Sequence, residues 1–85
     1  MKNLLFAVLA ALATVVFNCP DLDCPHCAKK VTENISFERG VKDLEVSVPE
    51  HTVTIKFLES RNDTVSLARA LKKLGYPATV ISYEK

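Results

Sequence analysis

The chain has 85 residues and a formal net charge of +1, from 11 basic and 10 acidic side chains. This length fits one small domain. The balanced charge, without a basic patch or aromatic residues interleaved with basic ones, excludes nucleic-acid binding. All three cysteines lie between positions 19 and 27, so a disulfide between any two would close a very short loop and add little to the stability of the fold.

The N-terminal segment has the three parts of an export signal. A lysine follows the first methionine, residues 4–12 form an apolar run, and Ala11 and Ala13 stand at the two positions that a signal peptidase reads. The apolar stretch is shorter than the roughly 20 residues of a membrane-spanning helix. We therefore predict a signal peptide over residues 1–13 and a mature domain over 14–85 that is exported to a bacterial periplasm. The alternative is a buried core helix over the apolar run.

The first predicted strand covers residues 14–19, where β-branched and aromatic side chains end at a proline. Two-residue alternation places three of its side chains on one face: Val15, Phe17 and Cys19. A helix follows the later cysteines. Its apolar stripe has helical spacing, and lysines occupy the opposite side; the stripe consists of Cys27, Val31 and Ile35.

The second half of the chain predicts a hairpin, a helix and a strand. Residues 41–48 and 52–57 alternate between polar and apolar side chains on either side of a Pro-Glu turn, as in a β-hairpin. Asn-Asp-Thr at 62–64 caps the second helix, which Gly75 ends. Residues 78–83 form the last strand. The order β-α-β-β-α-β predicts an α+β, ferredoxin-like domain, with two helices on one face of a four-stranded antiparallel sheet.

The candidate site is the run Asp-Cys-Pro-His-Cys at residues 23–27. Two thiols at this spacing can chelate one soft metal ion or close a redox-active disulfide, and the motif alone does not decide between them. Thiolates select soft ions such as Cu(I) or Hg(II), and both ions accept near-linear coordination by two sulfurs. Zinc usually takes four protein ligands, and the chain has no second Cys/His pair at zinc-finger spacing. Ala28 excludes c-type haem, whose attachment needs a histidine there.

The pair lies where the first strand leads into the first helix. We expect Cys24 in the loop, Cys27 in the first helical turn, and Pro25 at an early helical position, where a missing N–H costs little. Unpaired N–H groups and the helix dipole stabilise negative charge there, which predicts lowered pKa values for both thiols. His26 is expected to point outward; the alternative is a third metal ligand.

These residues resemble the heavy-metal-associated domain family, found in soluble metallochaperones and in N-terminal modules of metal-pumping ATPases. The family signature is a strand, then Gly-Met-x-Cys-x-x-Cys, then a helix, within the same order of elements. This chain has Pro-Asp-Leu-Asp-Cys-Pro-His-Cys at 20–27, and the resemblance extends over residues 14–85. It implies Cys24 and Cys27 as ligands of one soft ion, Hg(II) or Cu(I). With the export signal, the chain is similar to the periplasmic mercury-binding proteins of mercury-resistance systems.

The chain departs from the signature at two positions. Leu22 stands where the family has Met, and Asp21 where it has Gly. Leu22 can fill the same buried place beneath the loop, so the departure leaves the fold intact and the identity of the ion open. The resemblance places Tyr76 beside the metal loop, where it either shields the site or packs on the helices. It aligns Cys19 with an inward strand position, as a core residue; the alternative is a third sulfur ligand.

The resemblance implies a metal carrier that is not an enzyme. It is expected to act as a monomer and to pass its ion to a membrane transporter or a metal-pumping ATPase with its own cysteine pair. A metal sensor or buffer would use the same residues. The competing hypothesis is a periplasmic thiol-disulfide oxidoreductase, because Cys-Pro-His-Cys is also an active-site sequence in the thioredoxin superfamily. The short mature chain and the hairpin after the first helix argue against that fold.

Overall fold

A computed structural model describes residues 12–84. Its elements follow the predicted order. The four strands are β1 (Leu12–Asn18), β2 (Val41–Ser47), β3 (Thr52–Leu58) and β4 (Thr79–Glu84), and the two helices are α1 (Pro25–Ile35) and α2 (Thr64–Leu74). Each boundary for which a residue was predicted lies within two residues of that prediction, because capping residues and hydrophobic alternation mark these ends.

The four strands form one sheet in the order β2-β3-β1-β4. Every neighbouring pair is antiparallel, which confirms the ferredoxin-like α+β arrangement with two helices. The central strand β1 alternates between buried and half-buried side chains along its whole length. This period of two gives the sheet one face that packs against the helices and one that is partly open to solvent.

The core lies between that face and the helices. Val31 and Ile35 of α1 and Leu67 and Leu71 of α2 are buried, as helical spacing of three or four residues requires for one apolar stripe. They join the inward side chains of the strands and of the loop at residues 19–24 in a single cluster: Ala13, Val15, Phe17, Cys19, Leu22, Val53, Ile55 and Phe57.

Strand β1 begins earlier than the sequence predicted. Leu12 and Ala13, the last two residues of the predicted signal peptide, belong to β1, and Ala13 is buried opposite Phe57 of β3. The rest of the predicted signal peptide, residues 1–11, lies outside the described residues. Cleavage after Ala13 stays a prediction, and it would remove the first two residues of β1 from the domain.

The end of α2 delivers a loop to the site. Gly75 adopts a left-handed conformation (φ 101°) and its N–H donates to the carbonyl of Lys72, while the N–H of Tyr76 donates to that of Leu71. These hydrogen bonds end the helix at Gly75, as the sequence predicted, and the chain then turns Tyr76 back toward the first helix. Within residues 12–84, neither helix has the length and apolar character needed to cross a bilayer.

Candidate metal centre

Both cysteines of the motif stand at the start of α1. Cys24 is the N-cap, in extended conformation (φ −147°, ψ 155°), and Pro25 is the first helical residue. Proline fits there because the first helical N–H has no partner within the helix. Cys27 lies in the first turn, as predicted, so both sulfurs occupy the end of the helix where free N–H groups gather.

The side chain of Cys24 caps the helix. Its Sγ accepts a hydrogen bond from the N–H of Cys27 at 3.2 Å. An N-cap side chain normally offers oxygen, and sulfur is a weaker acceptor. The bond nevertheless fixes the Cys24 side chain over the first turn, on the side where Cys27 stands.

Three side chains can hold one metal ion. Among the residues that the structure describes, Asp23, Cys24 and Cys27 bring one carboxylate oxygen and two sulfurs within 4.8 Å of one another. Because a metal–sulfur bond is about 2.3 Å, a linear sulfur–metal–sulfur unit spans about 4.6 Å, which this separation can accommodate. The cysteines are half-buried and Asp23 is exposed. Asp23 was not predicted as a candidate ligand, although its position next to Cys24 was the available signal.

The two thiols differ in acidity. The pKa of Cys27 is lowered, chiefly because the Cys24 side chain donates a hydrogen bond to its sulfur, with a second bond from the Tyr76 hydroxyl. The pKa of Cys24 is raised, chiefly because its proton is held in that bond. The pair therefore loses its first proton from Cys27 and retains the second on Cys24. The prediction of a lowered pKa is right for Cys27 and wrong for Cys24, because a shared proton outweighs the helix N-terminus there.

Tyr76 contacts the site from the opposite loop. Its hydroxyl donates to the sulfur of Cys27, and this bond is the main reason that the pKa of Tyr76 rises to about 12. The ring packs against the core, and Nζ of Lys30 lies 5.8 Å from the ring centroid. Both predicted alternatives therefore apply to Tyr76, since its ring packs on the fold while its hydroxyl reaches the cysteine.

Leu22 and Cys19 are core residues. Both are fully buried, and Leu22 fills the space beneath the metal loop, as expected for the position where the family has Met. Burial, with a smaller contribution from Asp21, raises the pKa of the Cys19 thiol to about 11. Cys19 lies outside the group formed by Asp23, Cys24 and Cys27, which agrees with a core role for its sulfur.

His26 is exposed at the second position of α1. It lines a shallow surface depression with Lys29, Lys30 and Glu33 and lies outside the ligand group. This is the outward orientation that its place between the cysteines predicted.

The structure adds a residue that the sequence analysis did not consider. His51 lies in the turn before β3, with its ring Nδ1 2.9 Å from the carbonyl oxygen of Leu22. Its own carbonyl accepts from the N–H of Cys19 at 2.7 Å. A histidine beside a Pro-Glu turn gives no signal of either contact, because the partners are about 30 residues away in the chain.

Comparison with known families agrees with this geometry. The sequence model of the heavy-metal-associated domain matches residues 16–77, which include the end of β1, the cysteine loop, both helices and the hairpin. The chain belongs to the heavy-metal-associated domain family. Within that family it carries the Cys-x-x-Cys pair at the start of its first helix.

Relatives include copper and mercury proteins. The copper chaperone CopZ of Enterococcus hirae is 29% identical over 65 residues, which are 76% of this chain and 94% of the relative. The crystal structure of oxidized MerP from Ralstonia metallidurans is 26% identical with a TM-score of 0.81, over 85% of this chain and 100% of that one. The mercury-bound form of MerP is 26% identical with a TM-score of 0.71, over 82% and 97%.

Proposed function

We propose that this heavy-metal-associated domain binds one Cu(I) or Hg(II) ion between Cys24 and Cys27 and passes it to a membrane transporter or metal-pumping ATPase with its own cysteine pair. The observation that carries the proposal is the group of two half-buried sulfurs beside a carboxylate at a helix N-terminus. Two sulfurs satisfy a soft ion that accepts low coordination. The copper chaperone and the mercury-binding protein among the relatives support both candidate ions.

Loading begins at the more acidic sulfur. Cys27, whose pKa is lowered, offers the first thiolate to the ion. Cys24 holds its proton in the hydrogen bond to Cys27, and this proton leaves to solvent when the second metal–sulfur bond forms. Binding therefore releases at least one proton for each ion, and affinity rises with pH until Cys24 also ionises.

Transfer proceeds by exchange of ligands. A thiolate of the receiving protein attacks the ion, a three-coordinate intermediate forms, and one sulfur of the donor leaves and regains a proton. No electrons move, so no redox partner is required. The half-burial of Cys24 and Cys27 supports this step, because a partner's sulfur can approach the ion without unfolding the loop. We place this carrier in the periplasm as a monomer without enzymatic activity.

Mass spectrometry of the reduced domain tests the proposal. Titration with Cu(I), Hg(II) and Zn(II) should give a one-to-one complex with a soft ion, and Cys24→Ser or Cys27→Ser should abolish it. Cys19→Ala is the matched control, because it removes a buried sulfur outside the ligand group and should keep the complex. Failure to bind either soft ion, together with turnover in a disulfide-exchange assay, would support the oxidoreductase instead.

The carboxylate permits a second distinction. Asp23 offers a hard oxygen, which zinc accepts and which Cu(I) and Hg(II) do not need. We expect Asp23→Asn to weaken Zn(II) binding and to leave Cu(I) binding within about twofold, since amide and carboxylate have the same shape. An equal loss for both ions would mean that Asp23 acts on the thiols and does not bind the ion.

Transfer and export need tests of their own. When metal-loaded protein is mixed with a soluble domain that carries a cysteine pair, part of the metal should be found on that domain after the two proteins are separated by chromatography. A cysteine-free version of the domain should receive no metal. The N-terminal sequence of the protein from a periplasmic fraction tests export and cleavage after Ala13. Recovery of the full-length chain in the cytoplasm would contradict both.

A further inference from the structure

The metal loop is tied to the distant hairpin turn by one residue. The main-chain carbonyl of His51 accepts from the N–H of Cys19, where the loop begins, at 2.7 Å. Its side-chain Nδ1 lies 2.9 Å from the carbonyl of Leu22. His51 therefore contacts both ends of the segment 19–22, which leads from the end of β1 to the residues that precede Cys24.

The chemistry of this contact specifies which nitrogen of the His51 ring carries the proton. A carbonyl oxygen has no proton to give, so Nδ1 must be the donor, and a neutral His51 must carry its proton on Nδ1. The same atom donates in the charged ring, so the contact survives protonation. The side chain is half-buried, which limits competition from water for the carbonyl.

The backbone of His51 is held in an uncommon conformation. Its φ of 57° is the only positive value for a non-glycine residue among residues 12–84. Left-handed backbone costs most residues free energy and persists where surrounding contacts impose it. Here that conformation coincides with the two contacts that turn both the carbonyl and the ring of His51 toward the loop.

We propose that His51 is a positioning residue for the metal loop, which it holds through Leu22 so that Cys24 stands ready to bind beside Cys27. The inference rests on the proposed function for its consequence, since a preorganised loop matters only if the loop binds. The Leu22 side chain is anchored in the core, and His51 fixes the carbonyl of the same residue. Together these contacts fix the main chain two residues before Cys24.

Nitrogen NMR of the metal-free protein tests the ring directly. At about pH 9, where imidazoles are neutral, His51 should show a protonated Nδ1 and an unprotonated Nε2. The chain contains two histidines, and exposed His26 is the internal control, expected to show the usual excess of the other tautomer. If His51 carries its proton on Nε2, the hydrogen bond to Leu22 is absent and the proposal is overturned.

Two variants separate the ring from the backbone. His51→Gly removes the donor and suits a left-handed backbone. His51→Asn also tolerates that backbone, and its amide nitrogen is the same number of bonds from the main chain as Nδ1. We expect His51→Gly to speed hydrogen exchange at the amides of Leu22 and Asp23 and to weaken Cu(I) or Hg(II) binding, each by about three- to tenfold. His51→Asn should recover most of both effects.

The amide of Ser66 at the start of α2 controls for global stability. It bonds to Asp63, far from the loop in sequence, and its exchange should not change in either variant. Unchanged exchange at Leu22 and Asp23 in His51→Gly overturns the positioning role whatever the metal does. Equal behaviour of the Gly and Asn variants overturns it as well. If wild-type protein binds neither soft ion, the proposed function fails, while the exchange measurements still decide the role of His51.

Discussion

The two helices of this domain begin with the same geometry and different chemistry. Cys24 before α1 and Asp63 before α2 are both extended N-caps, with φ of −147° and −148°. Each accepts a hydrogen bond from the N–H three residues later. The sulfur of Cys24 is 3.2 Å from the nitrogen of Cys27, and the carboxylate of Asp63 is 2.7 Å from that of Ser66.

The difference separates a helix start that serves stability from one that serves binding under the proposed function. A carboxylate is a strong cap, and hydrogen bonds from the backbone and side chain of Ser66 lower the pKa of Asp63. A thiol is a weaker acceptor, so α1 begins with less stabilisation than α2. Cys24 instead provides a second soft sulfur atom next to the sulfur of Cys27. Under the proposed function, the first helix start is a ligand site with the geometry of a cap.

Substitution of the cap residue of the first helix should have the largest effect on the difference between the two helix starts. In Cys24→Asn, an efficient capping side chain replaces the sulfur without adding charge next to Asp23. We expect the one-to-one complex with Cu(I) or Hg(II) to disappear while the melting temperature of the metal-free protein rises. Mass spectrometry and thermal denaturation followed by circular dichroism measure the two effects.

The reciprocal variant is the control for that exchange. Asp63→Cys places the weaker cap on α2, so it should lower the melting temperature and leave soft-metal binding at the first helix intact. A fall in stability for Cys24→Asn would contradict the view that sulfur is the poorer cap in this fold.

The residues before the two caps are held in different ways. Leu22 is fully buried beneath the first loop, whereas Asn62 before α2 is tied by a side-chain bond to the carbonyl of Arg39 at 2.8 Å. We expect Leu22→Ala to lower the free energy of unfolding by about 2–5 kcal/mol, and Asn62→Ala by about 0.5–1.5 kcal/mol. Urea denaturation of the metal-free variants measures both.

A conservative variant controls for the size of the side chain. Leu22→Met keeps the buried volume and should cost less than about 1.5 kcal/mol, while it restores the residue that the family has at this position. A loss below about 1 kcal/mol for Leu22→Ala would contradict its place in the core, because the cost of removing a fully buried leucine exceeds that value.

The sequence predicted the second helix start better than the first. Asn-Asp-Thr at 62–64 is a recognised capping pattern, and the structure confirms Asp63 as the cap. Nothing in propensity marks Cys24 as a cap, since thiols rarely take this role; its place followed from Pro25 and from the chelating motif. The buried place of Leu22 was predicted from the resemblance to the family, which has Met at this position, and the structure confirms it.

The remaining features depend on contacts between distant segments. His51 reaches Leu22 across the hairpin, and no local pattern encodes which loop lies opposite a turn. The hydroxyl of Tyr76 and the shared proton of Cys24 set the acidity of Cys27, and only side-chain geometry reveals either. The start of β1 at Leu12 was hidden because small apolar residues fit a strand and a signal peptide equally well.

Acid should affect the second helix start through Asp63. Its folded pKa lies below the value of a free carboxyl, about 3.9. The bond to Ser66 therefore adds stability that is complete above that unfolded value and is lost as pH falls through the folded one. Asp63→Asn removes this titration, so the stability of the variant should fall less than that of wild type between about pH 5 and 2. Equal slopes in denaturation across that range would contradict the assignment.

The smallest expected effect concerns the hydrogen bond from the Tyr76 hydroxyl to Cys27. The first helix start takes a hydrogen bond from a distant loop, whereas the groups that act on the Asp63 carboxylate belong to the helix that it caps. In Tyr76→Phe, the ring still packs on the core while the hydroxyl is lost, so the pKa of Cys27 should rise toward its ordinary value. Thiolate absorbance or alkylation rate, followed against pH in a Cys19→Ala background, measures the shift.

Tyr83 provides the matched control for that titration. Tyr83 lies in β4, the strand that follows the Tyr76 loop, and its hydroxyl donates to Glu59 at 2.8 Å. Tyr83→Phe therefore removes the same group without touching either cysteine. We expect the Cys27 titration to stay unchanged in that variant. An equal rise in both variants would show that loss of a tyrosine hydroxyl acts through the fold. A rise in neither would leave Cys24 as the sole donor to Cys27, and the first helix start would then depend, like the second, on its own residues alone.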